Sequence, residues 1–249
     1  MQHPSHYDRM ALKEKLGFGK QFLVTTLGLR SPRKGIEYGI RAYGRFVKES
    51  LTPEQRKCSV YLVAGQYHPD FVRAEDGKLY EEYQEVIMDA LESSGVKWTT
   101  VTGKLGQQDS ENCDVVFYDD FLDESTLLNL YGATNTMLLP YLDPQQISSG
   151  ILADTLGSGR VAIVTKSLYA LELLSPPCED REGLLLGPHS RGILVDPGEP
   201  SVEQMAQALD FIVFNKKERL EMERRAHERG HQMGWHNTAW QFLQTIDYT

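Results

Sequence analysis

The stretch "LLPYLDPQQISSGILADTLGSGRVAIVT", residues 138–165, decides how the chain is read. An apolar run ends at Pro140 and Tyr141. A polar loop of Asp, Pro and two Gln follows, then Ser148, Ser149 and Gly150, a helix-like stretch, and a second apolar run at residues 161–165. This is a strand, a loop at its carboxyl end, a helix and another strand, the repeating unit of a parallel sheet. Small residues opening a helix expose backbone N–H groups that have no intrahelical partner, and the helix dipole adds partial positive charge there. The loop can therefore seat an anion. The same residues also read as an ordinary N-cap at Ser148.

Working outward, four further apolar runs have the same character: "FLVTTLG" (22–28), "VYLVAG" (60–65), "VVFYD" (115–119) and "GILVD" (192–196). With residues 136–141 and 161–165 they make about six strands. All are continuous rather than alternating, as expected where helices cover both faces of a parallel sheet. Helical patterns lie between them: Ile36, Ile40, Tyr43 and Val47 share one face, as do Tyr80, Tyr83, Ile87 and Ala90. The expected fold is α/β, a doubly wound parallel sheet with helices on both faces. Residues 1–249 read as a single domain, with 201–249 a C-terminal helical extension ending in the aromatic-rich "WHNTAWQFLQTI". The turn-rich segment 174–192 reads as a surface loop.

Composition narrows the function classes. The chain has 249 residues, with 26 basic against 35 acidic side chains and a net charge of −9. That argues against coating nucleic acid, while leaving room for a local basic pocket. No apolar run reaches the ~18 residues of a membrane span, and the N-terminus is too polar for a secretory signal. Cys58, Cys113 and Cys178 are odd in number and far apart, which argues against a disulfide framework and for a reducing, cytoplasmic setting.

In open sheets of this kind ligands bind beyond the carboxyl ends of the strands. Three loops gather there: "GLRSPRKG", "GQYHPD" and "PYLDPQQISSG". Lys34 stands at the start of the first helix, where its ammonium can meet a second phosphate oxygen. It also reads as a solvated surface lysine.

The order and content of these loops resemble the C-terminal, donor-binding domain of retaining glycosyltransferases of family 4, two-domain enzymes of the GT-B class. "LKEKLGFGKQFLVTTLGLRSPRKGIEYGIRAY" looks like the linker, first strand and lysine helix. "VYLVAGQYHPD", "VVFYDDFLDESTLLNLYGAT", the 138–165 stretch, "RGILVDPGEPSVEQMAQAL" and "GWHNTAWQFL" follow in the family's order. The resemblance implies that Lys34 contacts the donor diphosphate and that the backbone at Ser148, Ser149, Gly150 and Ile151 cradles the phosphates. It implies that Asp120, Phe121 and Leu122 flank the base. The family's acidic pair, two Glu separated by seven residues, aligns with Gln146 for the sugar and Asp154 for the ribose. Both keep hydrogen-bonding capacity. The arginine that commonly follows the first-loop glycine is Leu29 here, so Arg30 or Arg33 stands as its substitute. The implied ligand is a nucleotide-diphosphate sugar, with no cofactor and no metal. The implied catalytic set is Lys34, Gln146 and Asp154. The implied partner is an N-terminal acceptor domain, or another chain in its place, because the family's C-terminal features begin within the first few dozen residues. The final "WHNTAWQFLQTI" then covers that partner or packs on its own domain.

Two other function classes compete. Replacement of the acidic pair, the absent arginine and the absent half suit a non-catalytic interaction domain. "HERGH" (227–231) spells the H-E-x-x-H of zinc proteases, yet Gly230 interrupts the helix and no third ligand follows, so it reads as a charged solvated face. "GLRSPRKG" lacks the Walker spacing, "GSGR" (157–160) reads as a turn into the next strand, and Asp119, Asp120 and Asp123 read as caps and turn residues.

Overall fold

The structure, a computed structural model, describes residues 8–106, 112–174, 179–181, 184–187 and 189–247. Its strands are β1 (Phe22–Leu27), β2 (Ser59–Ala64), β3 (Trp98–Val101), β4 (Val115–Tyr118), β5 (Thr136–Leu139), β6 (Val161–Thr165), β7 (Glu179–Arg181), β8 (Leu184–Leu186) and β9 (Ile193–Val195). They form one sheet in the order β3-β4-β2-β1-β5-β6-β9-β8-β7. The seven from β3 to β9 run parallel. The last two join antiparallel.

The doubly wound α/β fold is as expected, with three strands more than the sequence reading gave. β3 (WTTV) has only one buried residue and sits at the sheet edge, so it lacks the apolar run that marks the inner strands. β7 and β8 fall inside the segment read as a surface loop: its described residues form an antiparallel hairpin that extends the opposite edge.

Helices cover both faces. α2 (Ile36–Glu49), α5 (Lys78–Ser94) and α9 (Pro200–Phe214) pack on one, where Ile40, Tyr43, Ile87 and Leu209 meet Val24, Tyr61 and Val63. α1 (Arg9–Lys15), α6 (Glu124–Ala133) and α7 (Gly150–Gly157) lie on the other, where Leu130, Leu152 and Leu156 meet Leu23, Leu27 and Leu62. The short helices are α3 (Pro53–Lys57), α4 (Pro69–Arg73) and α8 (Leu168–Leu174); α10 (Lys216–Gln232) and α11 (Trp235–Asp247) close the chain. Successive strand residues thus feed opposite layers, with Leu23 in one and Val24 in the other. The α11 side chains do not fold back on the domain: Trp235 is 89% exposed, and Trp240, Phe242, Leu243 and Ile246 are exposed as well. Cys58 is a free, exposed thiol, and Cys178 lies outside the described residues.

At the end of the sheet away from the loops, Lys13 is 3% exposed. Its ammonium donates to Gln21 O at 2.6 Å and to Asn135 Oδ1, which also accepts from Leu23 N. Burial, then the neighbouring Arg9, Arg219 and Arg160, push its pKa down to about 7, while Glu223 opposes them. Between pH 7 and about 10 the unfolded chain therefore binds more protons at this site than the folded one, and stability rises with pH. Wild type is expected to gain stability relative to Lys13→Met between pH 7 and 9, by up to about 1.4 kcal/mol per pH unit. Urea melts at three pH values measure it. Parallel pH profiles for the two proteins contradict it.

Candidate functional site

The carboxyl ends of β1, β2, β4 and β5 open on one edge. β1 is followed by Gly28, whose φ is +111°. β2 is followed by Gly65, where an added Cβ would lie 2.4 Å from Gly28 O. The two loops run side by side through Arg30 N→Gln66 O at 2.8 Å and His68 N→Arg30 O at 2.9 Å. The Arg30 guanidinium is used inside this wall. Its Nε donates to Gly65 O at 2.7 Å, it pairs with Asp119, and it lies 4.0 Å over the Tyr67 ring. Arg33 is exposed on the short 3₁₀ turn Pro32–Lys34. Of the two arginines expected to substitute at Leu29, Arg33 has its side chain in solvent and Arg30 is buried.

The β1 and β5 loops meet through Leu142 N→Arg33 O at 3.0 Å. Gly35, in the left-handed region, fits its backbone against Pro140 O. This contact brings Lys34 to the mouth of the second loop, where its ammonium lies 4.2 Å over the Tyr141 ring. Burial pushes the Lys34 pKa down. The Tyr141 side chain is 3% exposed, and its hydroxyl makes no hydrogen bond in good geometry, although the Ser149 side chain stands beside it. That burial holds its pKa up at about 12. Tyr141 carries no recognisable role in the sequence, because its partner lies more than a hundred residues away in the chain.

α7 opens at Gly150, and its N-cap is Ser149 rather than Ser148. Ser149 Oγ accepts from Leu152 N at 3.2 Å, and Ala153 N donates to Ser149 O at 3.0 Å. The amides of Gly150 and Ile151 precede these bonds, where a helix leaves donors unused. Gly150 is exposed, and a Cβ placed on it would meet nothing within 4 Å. Ile151 packs toward Gly28 on the facing wall. Ser148 is exposed.

The loop ahead of α7 is ordered from within. Asp143 accepts from Gln145 N, Gln146 Nε2 donates to Ser148 O at 2.8 Å, and Tyr169 N donates to Gln146 O at 3.1 Å. Asp154 lies one turn into α7, half-buried, beside Tyr131 Oη at 3.5 Å. Burial raises its pKa, against a smaller opposing effect of that hydroxyl. After β4, Asp120 accepts from Gly103 N and Phe121 N, and Leu122 is half-buried. Phe121 stands 72% exposed. An aromatic face left in solvent is available for stacking.

The other motifs are structural. His68 caps α4 by accepting from Asp70 N, and Asp123 caps α6 by accepting from Thr126 N. In "HERGH", His227 Nδ1 lies 3.1 Å from Gly157 O, and a Cβ on Gly230 would fall 2.4 Å from Gly157 Cα. The glycine that interrupts the helical pattern lets α10 press against the end of α7. No group of three metal-ligating side chains occurs among the described residues, and no described helix is long and apolar enough to cross a membrane.

No family model and no curated protein matches the chain. Among solved structures it is similar to Anabaena Alr3699/HepE in complex with UDP, with a TM-score of 0.69 at 15% identity over 100% of this chain and 54% of that one. It is similar to the C-terminal domain of a glycosyl transferase group 1 family protein, LpcC from Francisella tularensis, with a TM-score of 0.63 at 13% identity over 92% and 96% of the two chains. An E. coli trehalose-6-phosphate structure bound with UDP-2-fluoro glucose gives 0.64 at 13% identity over 96% and 45%. The chain thus spans about half the length of Alr3699/HepE and almost all of the LpcC domain. At these identities the likeness is one of fold.

Proposed function

We propose that this chain is the donor-binding half of a retaining glycosyltransferase of family 4 and the GT-B class, seating a nucleotide-diphosphate sugar at the edge just described. The observation that carries the reading is the convergence of Lys34 with the open N-terminus of α7 across Tyr141. An ammonium and the first amides of an exposed helix start suit a pyrophosphate, whose charge they stabilise as the glycosidic bond breaks. Arg33, at the solvent side, adds charge. Phe121 takes the base, Asp154 accepts from the ribose hydroxyls, and Gln146 orients the sugar. The solved structures of similar fold that carry UDP or a UDP sugar support this class of ligand. The reading calls for no metal and no cofactor, and it supplies the acceptor from an N-terminal domain or a partner chain.

A second reading, binding without transfer, draws on Gln146. Its amide nitrogen holds Ser148 O, a role in which the side chain orders its own loop. Release of free sugar from a nucleotide sugar, or its transfer once an acceptor half is supplied, separates the two.

Nucleoside diphosphate at millimolar concentration is expected to raise the melting temperature of wild type. Lys34→Ala is expected to weaken binding by ten- to a hundredfold, about 1.5–3 kcal/mol for a charge-assisted hydrogen bond, and so to remove most of the rise. A wild-type protein whose melting temperature ignores millimolar UDP and ADP does not have this seat.

A further inference from the structure

We propose that Tyr141 is the positioning residue of this site, its ring face holding the Lys34 ammonium against the opening of α7. The inference rests on the diphosphate-binding reading and adds to it the group that aims the lysine. A lysine side chain has four rotatable bonds, and its stem alone does not fix the ammonium. The structure supplies the missing constraint: the ammonium stands 4.2 Å from the centre of the Tyr141 ring, within cation–π range. The ring in turn is fixed. Tyr141 is buried, its backbone oxygen accepts from Thr165 Oγ1 at 2.5 Å, and the neighbouring Leu142 N is tied to Arg33 O. The far end of the ring reaches the Ser149 side chain, the cap of α7. One aromatic side chain therefore stands beside both the cation and the helix cap.

The hydroxyl is the informative remainder. It is buried without a well-formed hydrogen bond, so the ring carries the role rather than the oxygen. A tyrosine acting through its ring is replaceable by phenylalanine and not by an aliphatic residue of similar volume.

Two measurements test this. In the ligand-free protein the Lys34 ε-methylene protons are expected upfield in NMR spectra through the ring current, with the shift kept in Tyr141→Phe and lost in Tyr141→Met. In UDP titrations Tyr141→Phe is expected to stay within about twofold of wild type, and Tyr141→Met to bind about tenfold more weakly. In a Lys34→Ala background the Tyr141→Met effect is expected to shrink below about twofold, since two residues acting through one contact are not additive. Equal losses for the Phe and Met variants, full additivity with Lys34→Ala, or an unshifted lysine in wild type would each overturn the role of the ring. A shifted Lys34 in a wild-type protein that binds no UDP overturns the diphosphate seat and the ligand role of Tyr141, leaving the cation–ring contact as architecture. The wild-type NMR measurement needs no variant to fold.

Discussion

Gly35→Val is expected to cost the domain about 3–5 kcal/mol of unfolding free energy, from left-handed strain and overpacking together. Gly35 has φ of +58° and ψ of +32°, where a β-branched residue is strongly disfavoured. Its added Cβ would fall 2.1 Å from Pro140 O and 3.2 Å from Leu142 Cδ2. The first neighbour is main chain at the end of β5, so relief requires moving either that strand end or the start of α2. Both carry the site. Gly35→Ala is expected to show a smaller loss of the same origin, and both variants to bind UDP more weakly than their stability alone explains. Urea unfolding measures the first effect. A loss under about 1 kcal/mol for Gly35→Val, the size of an ordinary substitution, would contradict the packing described here.

Arg160→Ala is expected to be comparably damaging, also about 3–5 kcal/mol, for a different reason. Arg160 is the largest fully buried side chain among the described residues. Its Nε donates to Tyr131 O at 2.9 Å and its Nη2 to Gly132 O at 2.8 Å. These are carbonyls of the last turn of α6, where a helix has acceptors without internal partners and where its dipole favours a cation. Truncation leaves a cavity and two buried oxygens unbonded. Arg160→Lys restores the charge but not the planar fork and is expected to recover only part of the loss. If Arg160→Ala melts within a degree or two of wild type, the guanidinium does not cap α6.

The inner strands were legible because each is a mostly apolar, non-alternating run, and such runs have few alternatives once helices alternate with them. β3 was not legible. "WTTV" sits at the edge with one buried residue, and what makes it a strand is pairing with β4, which its own composition does not encode. The hairpin of β7 and β8 was hidden for a related reason, since its first residues, "EDR", carry no strand signal.

At the site, residue types were legible and their engagements were not. Sequence placed Lys34 and the Ser-Ser-Gly opening at the ends of two strands that the sheet order makes neighbours. It set the cap one residue early, because either serine has the chemistry and only backbone geometry selects Ser149. It offered Arg30 and Arg33 as equals, whereas Arg30 is stacked on Tyr67 and paired with Asp119. Gly230 looked like a flaw in a helix until the long-range contact with Gly157 gave it a purpose. Each of these depends on a partner distant in the chain, which local pattern does not carry.

The backbone bonds joining the β1 loop to its neighbours on both sides, Arg30 N to Gln66 O and Leu142 N to Arg33 O, have a kinetic consequence. Main-chain atoms held by such bonds do not have to be ordered when a ligand arrives. If the proposed function holds, a diphosphate entering here would meet main chain already in place, and little conformational entropy would be lost on capture. Occupancy should then be governed by how fast the nucleotide leaves rather than by a slow closing of the walls.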